Sequence, residues 1–149
     1  MYKKILVAVD LSELDIAQPA LAAAIELATL TSGELRLVHV RHRLPSAPIS
    51  VMAADLLSDQ EQYFKGEMDR LMAKVPYPKE RLSSANLIGT VYAEILQEAK
   101  SWGADLIVLS AHRPSMATYL LGSNAAKVVR HAECTTLVVR SHKPLSLMA

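Results

Sequence analysis

The chain has little with which to staple, hinge or stack itself. It holds one cysteine, Cys134, so no intrachain disulfide can form, and a reducing, cytoplasmic compartment is the expectation. Only five glycines occur. None forms the GxxxxGK[ST] loop of P-loop nucleotide hydrolases, or the GxGxxG turn of dinucleotide-binding folds. Phe, Trp and Tyr make up 5%, too few for a platform on which single-stranded bases stack. Charge of one sign is not in excess either. Sixteen basic side chains face fifteen acidic ones, which leaves no broad basic footprint for nucleic acid. His, Cys, Asp and Glu do not fall at metal-ligand spacing. The apolar run in MYKKILVAVD breaks at Asp10 before it is long enough for a signal-peptide core or a membrane span. No membrane partner is expected.

Apolar residues are plentiful, at 51% of the 149, enough for the core of one domain. Ile5 to Val9 is a continuous apolar run, the mark of a strand buried on both faces. Residues 14 to 31 carry Leu21, Ala24, Ile25 and Ala28 at helical spacing, and Ser32-Gly33 stops that helix. LRLVHV (Leu35 to Val40) reads as a second strand. Arg41 to Ser58, with two prolines and no clear period, reads as a long loop. A polar helix follows from Asp59 to Lys74, with Tyr63, Met68, Leu71 and Met72 on its inner side. LSSANLI (82 to 88) is a weak third strand, and a helix from Thr90 to Trp102 closes at Gly103. DLIVL (105 to 109) is the fourth strand, Ser123 to His131 a helix and Thr136 to Val139 the fifth strand. Residues 141 to 149 read as a loose tail beyond a domain of residues 1–140.

Strands alternate with helices, and the strands are apolar throughout. That predicts an α/β fold with a parallel sheet covered by helices on both faces. Right-handed crossovers make it doubly wound, and strand order 3-2-1-4-5 is the expectation. With that order the winding reverses between strands 1 and 4, and ligands of such sheets bind outside the carboxyl ends of the strands there. The loops leaving those strands begin at Asp10 and Ser110.

Near that point stands Gly122-Ser123-Asn124, ahead of the last helix. A helix N-terminus offers unpaired N–H groups and partial positive charge, so the triplet is either a phosphate seat or an ordinary turn with a Ser or Asn cap. Asp10 either accepts from a ribose hydroxyl or holds Mg²⁺, or it caps helix 1, a role open equally to Ser12. Arg113 is either a phosphate partner or a solvated loop cation, and His112 either meets a ligand or ties the loop to backbone. His39, with an apolar neighbour on each side, reads as a satisfied core histidine. No general base is paired with a nucleophile at a recognisable spacing, so no catalytic residue is assigned.

KKILVAVDLSE, LRLVHV and DLIVLSAHRP…LLGSNAAKVVRHAECTTLVVR together resemble the universal stress protein family, from Tyr2 to Arg140. The resemblance implies a small cytoplasmic protein, commonly a homodimer, made under stress and in many members binding ATP or another adenine nucleotide. The family's phosphate motif runs G-x2-G-x9-G-[ST]. Here Ser110 and Arg113 replace its first two glycines, and Pro114 to Leu121 make the spacing to Gly122 one residue shorter. Arg113 would compensate for the lost close approach with charge. By resemblance, Asp10 faces ribose or metal, and backbone around Ala8, Val9 and Val40 meets adenine. Ser110, His112, Arg113, Gly122, Ser123 and Asn124 then lie toward phosphate.

Two functions compete. One is an ATP-binding regulator with at most slow hydrolysis or self-phosphorylation. The other is a nucleotide-free homodimer that binds other proteins, favoured by the glycines missing at Ser110 and Arg113. In both, the apolar fifth strand, Thr136 to Val139, lies at a sheet edge and is expected to pair with its copy in a second subunit.

Overall fold

The computed structural model describes residues 1–42, 51–111 and 122–140. Strand β1 (Lys4–Ala8) leads to α1 (Leu14–Thr31), and β2 (Glu34–Arg41) to α2 (Val51–Lys74). Then come β3 (Leu82–Ile88), α3 (Val91–Trp102), β4 (Leu106–Ser110), α4 (Ser123–His131) and β5 (Thr135–Val139). The five strands form one sheet in the order β3-β2-β1-β4-β5, all in parallel, with Val7 opposite Leu37 on one side and Val108 on the other. The α/β doubly wound architecture and the strand order are those expected.

Alternation along the central strand divides the core. Ile5 and Val7 face α1 and α2, joining Ala20, Leu21, Ala24, Met68 and Leu71. Leu6 points the other way, to Ile95 and Ala99 of α3 and Ala125 and Val128 of α4. The unbroken apolar run Ile5 to Ala8 in β1 is what a strand between two helix layers requires.

Helix α2 differs from the sequence expectation in two respects. Helix α2 begins at Val51, not Asp59, so the loop expected over 41 to 58 is partly helix, and residues 43 to 50 lie outside the described ones. Residues 54 to 63 of the helix are all exposed, so they carry no buried stripe that would announce a period. Tyr63, expected to point inward, is 60% exposed. The buried face runs through Phe64, Met68, Leu71 and Val75, at spacings of four, three and four, and Tyr63 falls about a quarter-turn off that stripe. Helix α1 stops at Ser32-Gly33 as expected, with Ser32 in the left-handed conformation at φ of 53°. Gly33 is needed for space, because a Cβ there would stand 2.9 Å from the Tyr2 carbonyl oxygen.

Candidate functional site

At the carboxyl ends of β1, β2 and β4 the structure has a cavity of about 340 Å³, within the range of small-molecule sites. Ala8, Val9 and Asp10 line it from β1, Val40 from β2, Ser110 from β4 and Asn124 from α4. Six residues singled out from the sequence are thus brought to one cavity at the winding reversal. Gly122 and Ser123 stand beside it at the start of α4 without lining it. His112 and Arg113 lie outside the described residues.

Asp10 is exposed at the mouth of β1. Its Oδ1 accepts the Ser12 N–H at 2.9 Å, an Asx turn, and its carbonyl accepts the Glu13 N–H at 3.0 Å. Helix α1 starts only at Leu14, with Glu13 in the capping position and no side-chain cap bond. Neither Asp10 nor Ser12 caps it, because Asp10 is spent on the turn before the helix. The carboxylate therefore stays at the cavity with one oxygen directed by the turn.

Helix α4 begins with Gly122 in the capping position and no side-chain cap bond, so neither Ser123 nor Asn124 acts as the cap. The first intrahelical bond runs from Ala126 N–H to the Gly122 carbonyl at 2.9 Å. The amides of Ser123, Asn124 and Ala125 have no helical partner as a result. Gly122 N–H donates to the Ala111 carbonyl at 3.2 Å, and Ala111 N–H to that of Val139 at 2.9 Å. Ala111 and Gly122 are thereby tied to each other beside β4. The Ser110 hydroxyl donates to the Ile16 carbonyl at 2.9 Å, fastening the end of β4 to the first turn of α1.

The cavity also takes in residues the sequence reading left out. Glu13, Ile16 and Ala17 come from the start of α1, and Val91 and Ile95 from α3. The α3 pair was legible as an apolar face, and a helix joining β3 to β4 must pass over the switch point. His42 lies just past β2, without any local pattern to mark it.

His39 also lines the cavity and is 3% exposed. Its Nδ1 lies 3.2 Å from the Leu11 amide nitrogen and 3.2 Å from the Val9 carbonyl oxygen, and its ring packs on Phe64 with centroids 4.8 Å apart. Burial holds its pKa below the ordinary imidazole value, opposed by the Val9 carbonyl and Asp10, and Arg41 adds to the lowering. The ring is therefore neutral near pH 7. It is a core histidine, as the sequence suggested, but an unsatisfied one, since Nε2 is buried with no partner among the described residues.

No group of three His, Cys, Asp or Glu able to hold a metal occurs among the described residues. Among them, too, no helix is long and apolar enough to cross a membrane. A second groove, of about 510 Å³, runs along α3 to the turns before β4 and β5 and includes Cys134. Burial raises the Cys134 thiol pKa, with Asp105 and Glu133 adding to the rise against its own backbone, so it is no activated nucleophile.

Comparison with known proteins gives one answer. The universal stress protein family matches residues 1–140. Universal stress protein G of Shigella flexneri and that of Escherichia coli O157:H7 are each 34% identical over 143 residues, covering 94% of this chain and all of theirs. Universal stress protein UspA from Lactobacillus plantarum superposes with a TM-score of 0.79 at 28% identity, over 93% of this chain and 98% of its own. A universal stress protein solved in complex with cAMP shares the fold, with a TM-score of 0.65 at 21% identity, over 93% of this chain and 97% of its own.

Proposed function

The chain belongs to the universal stress protein family, and from that premise we propose that it is a cytoplasmic stress-response regulator that binds an adenine nucleotide, ATP, in the switch-point cavity. One observation carries the reading. A single cavity joins the exposed carboxylate of Asp10 to the start of α4, where three amides have no helical partner. A carboxylate suits a ribose hydroxyl, and a helix N-terminus suits a phosphate. The same fold holds an adenine nucleotide in the relative solved with cAMP.

In this reading, backbone of Ala8, Val9 and Val40 meets adenine, and Asp10 accepts from ribose. Amides at Ser123 and Asn124 and the Ser123 hydroxyl meet phosphate, with Gly122 allowing close approach and Ser110 on the same side. For His112 and Arg113 a role toward phosphate is what the family resemblance implies. Mg²⁺ would take Asp10 and the phosphates as ligands, since this ion is usually held by one or two carboxylates, phosphates and water. Bound ATP supplies a transferable phosphoryl group, but with no base paired to a nucleophile any turnover is slow.

The test is to denature freshly purified protein and identify released small molecules by mass spectrometry. Adenine nucleotide near one per chain is expected. Gly122→Val, which puts bulk before the open amides, should weaken Mg·ATP binding by roughly tenfold. Empty protein that gains no thermal stability from millimolar Mg·ATP would overturn the reading.

A second reading, a nucleotide-free homodimer that binds other proteins, has its own support. Ser110 stands where the family motif has glycine, and its hydroxyl is used to tie β4 to α1. Partner binding indifferent to nucleotide would favour it.

A further inference from the structure

In the β1–α1 turn one amide is held by an imidazole. Leu11 is buried, at 7% exposure, and among the described residues no backbone carbonyl accepts from its N–H. Its acceptor is Nδ1 of His39, 3.2 Å away. The Val9 carbonyl lies at the same distance from the same nitrogen. One nitrogen cannot serve both, because accepting from Leu11 needs a lone pair and donating to Val9 needs a proton. A buried amide left without a partner is costly. The Leu11 bond therefore selects the tautomer in which Nδ1 is bare and the proton sits on Nε2. That choice leaves Nε2 as a buried donor with no acceptor among the described residues, an orphan that native cores seldom keep without a reason.

The reason lies between the two backbone groups. Val9 and Leu11 flank Asp10, whose Oδ1 in turn accepts from Ser12. We propose that His39 is a positioning residue, which grips the turn at Leu11 and so sets where the Asp10 carboxylate stands in the switch-point cavity. The ligand half of this inference rests on the nucleotide reading above, and the grip on the turn does not. An apolar residue in place of His39 would keep the packing against Phe64 and lose the grip. Asparagine would keep it, since its side-chain oxygen falls near the place of Nδ1.

The experiment compares wild type, His39→Phe and His39→Asn in the full chain, with thermal melts to establish that each is folded. Hydrogen exchange at the Leu11 amide, followed by NMR in ligand-free protein, reads the grip, and Mg·ATP titration reads its effect on the site. In His39→Phe, Leu11 exchange should quicken and Mg·ATP binding weaken, each by about three- to tenfold, the worth of one neutral hydrogen bond. His39→Asn should restore both toward wild type, which a role in packing alone would not do. Unchanged Leu11 exchange in a folded His39→Phe, or no rescue in a folded His39→Asn, overturns the proposal. If wild type takes no nucleotide while Leu11 responds as described, the nucleotide reading fails and the grip stands supported.

Discussion

At the scale of the residue, His39 is where stability and pH meet. Its pKa is lowered in the fold by burial, whereas in the unfolded chain the ring takes a proton near the ordinary value of about 6.5. Below that pH the unfolded state binds a proton that the folded state refuses, so folding stability must fall as pH drops through about 6.5 toward the lower folded value. Thermal melts from about pH 7.5 down to about pH 5.5 should show this decline, and a folded His39→Asn should show a shallower one. An equal slope in both would mean that other groups carry the pH dependence. Asp10 could be picked from the sequence because it ends an apolar strand. The work of His39 could not, because the amide it holds lies 28 residues away and the local pattern shows only a histidine among apolar neighbours.

At the scale of the element, most of the fold was legible, since apolar runs and helical spacing report burial directly. The start of α2 was not, because residues 54 to 63 are all exposed and leave no period to read. The junction after α2 shows what holds such an element. Tyr77 is 7% exposed and its hydroxyl reaches the carbonyl of Ala28 at 3.1 Å and that of Gly33. It ties the chain after α2 to the end of α1. Tyr77→Phe keeps the ring and removes the donor to the Gly33 carbonyl, while the Ala28 carbonyl keeps the Gly33 N–H. It should therefore destabilise the protein by roughly 1 kcal/mol. Urea unfolding measures this as a lower midpoint at unchanged slope. A loss below about 0.5 kcal/mol would show that water replaces the hydroxyl.

At the scale of the whole molecule, the strand order leaves β5 at an edge of the sheet. Leu137, Val138 and Val139 are only half-buried there, and an apolar edge left bare invites pairing with another chain. A homodimer through this strand is the expected state. Val138→Pro should halve the mass seen by light scattering, with circular dichroism confirming that the fold survives. A folded variant of unchanged mass would count against pairing through this strand.

The amino-acid sequence by itself determined the alternation of strands and helices and the doubly wound class. Both follow from local apolar pattern and from the handedness of crossovers, whereas the strand order that places the site was an expectation until the sheet was seen. Only the tertiary structure decided that Gly122 rather than Ser123 caps α4, that Asp10 is held by a turn and that Ser110 is tied to Ile16, 94 residues away. Capping depends on where the helix starts to within one residue, and a hydrogen bond across the sheet depends on which side chains the packing brings together. Neither leaves a period in the chain.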